Sequence, residues 1–130
     1  MLFFRAMKEG SDGMPMLGPN ARMLGVRPGG SPDPDVLART ALDFVFPGCG
    51  GLSVATGDPR NLPRHRRLPA LGGTGRDPIW CVESEDLGPV FSIRLDRPGH
   101  ALLEPAMPMI LQDFDQALAS TRTLWKVHSR

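Results

Sequence analysis

The chain has 130 residues, 41% of them hydrophobic, which suits one compact domain built around one core. Fifteen lysines and arginines against fourteen aspartates and glutamates leave a net charge of +1, so no global field draws the protein to nucleic acid or anionic lipid. No apolar run approaches the ~20 residues of a membrane span, and Arg5 and Lys8 come too early for a secretory hydrophobic region. A soluble protein is expected, and crossing a membrane would take a dedicated machine.

Fifteen glycines and fourteen prolines predict many turns and short, strand-rich regular structure. Leu2 to Met7 is apolar and aromatic apart from Arg5 and reads as a core strand. Gly10 to Pro34 reads as a long loop interrupted by a short strand near Met23 to Val26, and loops of that length in a small domain are usually functional or mobile. Asp35 to Phe46 is ambiguous: Val36, Leu37, Thr40 and Phe44 fit helical spacing, whereas Leu42, Phe44 and Phe46 alternate. Leu52 to Thr56 predicts a strand, and Asp58-Pro59 predicts a one-turn helix with Asp as N-cap and Pro at its first position. Ile79 to Glu83 and Val90 to Leu95 alternate as strands, joined through Ser84 to Pro89 as a hairpin. Asp96-Arg97-Pro98-Gly99 has the residues of a turn, and His100 to Glu104 follows as a strand. Ile110, Phe114, Ala117, Leu118 and Thr121 line one face of a C-terminal helix. Five or six short strands, one helix and long loops make an α+β arrangement in a single domain, residues 1–130.

Glu104 is the first candidate for chemistry, because a carboxylate in the apolar run from Ala101 to Met109 loses hydration that only a partner can replace. The competing reading places it on the solvated face of an edge strand, with Pro105 ending the pairing. Arg5 and Ser53 are two further polar residues in strand-like settings, and active sites are commonly assembled from distant strands. Gly50-Gly51 before Ser53 would let a ligand approach the backbone, though Ser53 can equally complete a turn. His100 can be a base, a ribose contact or a core histidine. Arg64-His65-Arg66-Arg67 can grip phosphate or simply solvate a loop; it is short and lacks interleaved aromatics, which argues against nucleic acid as the partner. Trp80 and Trp125 read as packing residues. Cys49 and Cys81 have neither zinc spacing nor evident partners, so no metal site is expected and both read as free thiols in a reducing cytoplasm. Dinucleotide-fold, P-loop, nucleophile-elbow and zinc-protease motifs are absent.

Phe4-Arg5-Ala6, Gly50-Gly51-Leu52-Ser53-Val54, and His100-Ala101-Leu102-Leu103-Glu104-Pro105-Ala106-Met107-Pro108-Met109 leading to a helix and Trp125 resemble, in order, a family of small bacterial toxins. These are type VI secretion effectors and related polymorphic-toxin domains with an ADP-ribosyltransferase-like fold. The resemblance implies a split β-sheet with long loops and a C-terminal helix, cradling NAD as substrate. It implies Arg5 on the dinucleotide's phosphate or ribose, with Ser53 and Gly51 shaping the cleft. Ser53 would support the catalytic acid, His100 matches a histidine of similar toxins, and Glu104 would be the acid of the wider transferase superfamily, although some toxin members lack one there. It further implies mono-ADP-ribosylation of a macromolecular target in the recipient cytoplasm after export from the producer's, or NAD hydrolysis, or a binding module that keeps only the fold. A toxin also implies a cognate immunity protein.

Overall fold

The computed structural model describes residues 1–130. Its strands are β1 (Leu2–Ala6), β2 (Phe44–Val45), β3 (Leu52–Thr56), β4 (Ile79–Glu83), β5 (Phe91–Arg97), β6 (His100–Pro105), β7 (Met109–Ile110) and β8 (Lys126–Ser129), with one α-helix, α1 (Leu111–Ser120). Six strands form one sheet in the order β5-β6-β3-β1-β4-β8, and every neighbouring pair is antiparallel. β2 and β7 form a separate two-stranded ribbon. No helix is long and apolar enough to cross a membrane.

Strand alternation distributes the apolar residues to both faces of the sheet. Phe3, Leu52, Val54, Trp80, Val82, Ala101 and Leu103 enter a core of nineteen buried residues. The helix closes that core with Leu111, Phe114 and Leu118. Phe4, Ala55 and Ile79 point the other way, into a smaller cluster capped by Leu62 and Leu68. The capping segment begins as foreseen: Asp58 accepts from the Arg60 amide at 2.8 Å, and a 3-10 turn runs Pro59–Asn61.

The ladder between β1 and β3 is short. It pairs Phe3 with Thr56 and Phe4 with Ala55 and stops there, at Arg5, whereas β1 stays in register with β4 along its whole length. Along its other edge, β3 is paired with β6 from Ala55–His100 to Leu52–Leu103.

Several expectations need correction. Ile79–Glu83 and Phe91–Arg97 are strands but not a hairpin, because β1 and β8 occupy both edges of β4. The hairpin is β5–β6, closed at Pro98-Gly99 with Gly99 at φ +73°. Met23 to Val26 forms no strand; Leu24 makes a single bridge to Leu17. Asp35 to Phe46 is neither helix nor long strand and yields only Phe44–Val45. Lys126–Ser129 is a strand with no counterpart among the expected elements.

The long loop is pinned rather than loose. Arg22 grips Asp77 through two hydrogen bonds of 2.7 Å, Arg122 Nε donates to the Pro15 carbonyl at 2.6 Å, and Pro15 is buried. Such charge-assisted, bidentate bonds replace the ladder that an irregular backbone lacks.

Gly51 packs where no side chain fits: a Cβ there would lie 2.0 Å from the Leu103 carbonyl oxygen and 3.1 Å from Glu104 Cα. Gly51→Ala is expected to cost about 3 kcal/mol in urea denaturation, the upper range for overpacking, because backbone must move. Unchanged stability would contradict this packing.

Candidate functional site

Arg5 is 7% exposed and forms no ion pair. Its guanidinium donates to carbonyls alone: Nη1 to Ser53 at 2.8 Å, Nε and Nη2 to Met23 at 3.2 and 2.9 Å, and Nη2 to Asn20 at 3.5 Å. Where the β1–β3 ladder ends, this side chain takes over the strand's carbonyl and ties both strands to the loop. Of the guanidinium's five N–H groups, one on Nη1 is left without a protein acceptor. Burial pushes the group's pKa down to about 10, with Asp35 opposing and Arg66 and Arg27 assisting, so it stays charged at neutral pH. A buried cation with no counter-ion is costly unless something outside the protein answers it.

Arg5 lines a cavity of about 310 Å³ together with Ser53, His100, His65, Arg66 and Arg97. The volume falls within the ~300–1,000 Å³ of small-molecule sites. Its walls are β3 and β6, the Leu62–Arg66 segment, and the loop carrying Arg27, Asp33 and Asp35. Arg66 is half-buried and makes no ion pair; burial lowers its pKa, with the Asp77 charge opposing and Arg22 and Arg27 assisting. Arg27 is compensated by Asp35, whose carboxylate it holds at 3.1 and 3.2 Å while its own amide donates at 2.7 Å. Arg97 sits only loosely by Asp96, at 3.9 Å. Four arginines against two acids therefore face one cavity, an arrangement suited to phosphate oxygens.

His100 Nδ1 lies 2.6 Å from Asp96 Oδ1. With Nδ1–H donated to that carboxylate, Nε2 is the basic nitrogen, a tautomer fixed by the partner. Burial opposes the Asp96 charge, but the His100 bond and charge hold its carboxyl below the ordinary value.

The structure brings Arg5, Ser53 and His100 to one cavity and sets Glu104 and Gly51 apart from it. Four residues of strand, roughly 13 Å, separate His100 from Glu104. The Glu104 carboxylate is 2% exposed and accepts from the Gly48 and Gly50 amides at 3.1 and 2.9 Å and from Arg94 at 3.1 and 3.0 Å. Burial works against its charge, yet Arg94 and the two amides together hold its pKa below the usual carboxylate range. Through Gly50 the acid braces the cavity wall: Gly50, at φ +114°, presses so closely on Asp35 that a Cβ would come 2.1 Å from the Asp35 carbonyl oxygen.

Sequence reasoning missed Arg27 and Asp33, in a loop, and Asp96 and Arg97, at the exposed end of β5, where charge is unremarked. The one available signal for Asp96 was its i,i+4 spacing to His100 across a predicted turn. Of the basic cluster, Arg66 and His65 line the cavity. Arg67 turns inward, its Nε buried without a partner. Cys49 and Cys81 are both free. A second cleft, of about 400 Å³, lies between α1 and the loop at Leu17–Gly25; Gln112, Asp115 and Gln116 are its polar side chains, and Asp115 is its one titratable group.

Fold and site together define a small α+β protein with an antiparallel sheet and a cation-rich cavity at the end of β3. Comparison of the chain with protein-family models, curated proteins and solved structures finds no match.

Glu104→Gln is expected to cost about 2 kcal/mol at pH 7, the scale of a lost charge-assisted pair. The folded pKa is depressed, so the stabilisation is complete above the unfolded value near ~4.3 and is lost as pH falls through the lower folded value. Urea titrations of both proteins should therefore diverge at pH 7 and converge in acid; a constant gap would contradict the pairing.

Proposed function

We propose that the cavity binds NAD and that the protein is an NAD-dependent mono-ADP-ribosyltransferase toxin acting in a recipient cell's cytoplasm. The observation that carries this reading is Arg5: a buried guanidinium without a carboxylate, with one N–H unengaged, on a cavity shared with the unpaired Arg66. A pyrophosphate supplies the missing anion and accepts in the bidentate geometry that arginines favour. Ser53 offers a hydroxyl on the same surface for the ribose.

Chemically, the nicotinamide–ribose bond breaks with its electron pair leaving on nicotinamide, and the ribose carbon passes through an oxocarbenium-like state. An acceptor then closes on that carbon and loses a proton. His100 Nε2, oriented through Asp96, is placed to take it. Glu104 enters this reading through the turn it fixes against Asp35 rather than through the reacting atoms.

The resemblance of the chain's segments to secreted bacterial toxins supports the toxin role, and with it a dedicated export route and a cognate immunity protein in the producer. A second reading, NAD hydrolysis, is favoured by the same His100–Asp96 pair, which serves water as well as a macromolecular acceptor. A third keeps the fold as a non-enzymatic binding module.

Incubating the protein with NAD and a bacterial lysate, followed by mass spectrometry, separates the three. Free nicotinamide with ADP-ribose attached to a macromolecule is the expected result. Free ADP-ribose without a modified macromolecule would place the protein with the hydrolases, and intact NAD would leave only the binding module. His100→Asn should lower turnover by roughly 100-fold or more with folding intact, the scale of a lost general base.

A further inference from the structure

An oxocarbenium-like transition state calls for a carboxylate beside the ribose, and Glu104 is committed elsewhere. Two acids line the cavity, Asp33 and Asp35. Asp35 is engaged by the Arg27 guanidinium and by the Arg27 amide. Asp33 faces the same space and makes no ion pair or side-chain hydrogen bond. We propose that Asp33 is the catalytic carboxylate of this site, holding a ribose hydroxyl and stabilising the positive charge that develops at the ribose carbon. The inference rests on the NAD reading above and assigns the acid that the reading lacks.

The backbone singles out the same residue. Asp33 is the one non-glycine residue of the chain at positive φ, +50°. It stands between Pro32 and Pro34, and a residue before proline normally adopts extended, negative-φ geometry. Ser31-Pro32-Asp33-Pro34 thus holds an unusual conformation at the rim of a cavity, between prolines that cannot rotate away. Non-glycine residues in sparsely populated regions concentrate at functional sites, and here the outlier carries a carboxylate and lines a cavity with an excess of arginines.

The step balances without a further reagent. The ribose–nicotinamide bond breaks and its electrons neutralise the pyridinium ring. The acceptor's lone pair forms the new bond, and its proton passes to His100. Asp33 remains ionised throughout, acting by charge and by accepting the hydroxyl hydrogen bond.

Asp33→Asn tests this with little risk to the fold, because Asn tolerates the left-handed region and Asp33 is exposed. Asp33→Gly, which also accepts positive φ, serves as the second variant. Nicotinamide release would be followed at varied NAD concentrations, with thermal melting as the folding control. Both variants should melt like the wild type and lose roughly 100-fold or more in kcat, with KM changed far less, as for loss of a charge used in the transition state. Wild-type kcat in either variant would overturn the assignment of Asp33 while leaving the NAD reading intact. A wild-type protein that releases no nicotinamide would overturn both.

Discussion

The structure depends on a guanidinium among carbonyls. Arg5 lies where two strands cease to pair, and its bonds to Ser53, Met23 and Asn20 hold β1, β3 and the long loop in one arrangement. A leucine there could fill the space, but it would leave the Ser53 and Met23 carbonyls buried without donors. The charge that satisfies them is the same charge that finds no carboxylate. Structure and site are therefore not separate uses of Arg5: the geometry that completes the sheet leaves a cation facing a cavity.

Glu104 is the counterpart on the other side of β3, and it shows the opposite solution. Both residues are charges inside buried strands, at 7% and 2% exposure. They do not pair with each other. Glu104 is saturated by two amides and a bidentate arginine, so its charge is answered within the protein. It braces the Gly48–Gly50 turn, and that turn braces Asp35, which in turn neutralises Arg27. The arginines left uncompensated at the cavity are Arg5 and Arg66, with Arg97 nearly so. Physical accounting of partners thus separates a structural acid from a receptive cation more sharply than burial does.

How much of this is legible in the sequence follows from the range of the forces involved. β1, β3, β4 and the C-terminal helix are readable, because the largely apolar runs of Leu2–Ala6, Leu52–Thr56 and Ile79–Glu83 and the spacing of Phe114 and Leu118 report burial directly. The pairing is not, since adjacency in the chain favoured β4 with β5 while the sheet places three strands, β6, β3 and β1, between them. β8 hides because Lys126 to Ser129 is polar and edge-exposed. Arg5, Ser53 and His100 stand out as polar residues in strands, but Asp33 and Arg27 belong to a loop and Asp96 to the exposed end of β5, where a charge is ordinary until the fold shows what it faces.

The central claim is that the unanswered charge of Arg5 is completed by a ligand's phosphates. The most direct measurement is the Arg5 Nε–H resonance in a nitrogen-edited NMR spectrum, assigned by its loss in Arg5→Lys and followed as NAD, and separately inorganic pyrophosphate, is added. The account predicts that this resonance shifts saturably with both, while that of Arg94, held by Glu104, stays in place. An Arg5 resonance unmoved at saturating concentrations of either would contradict it.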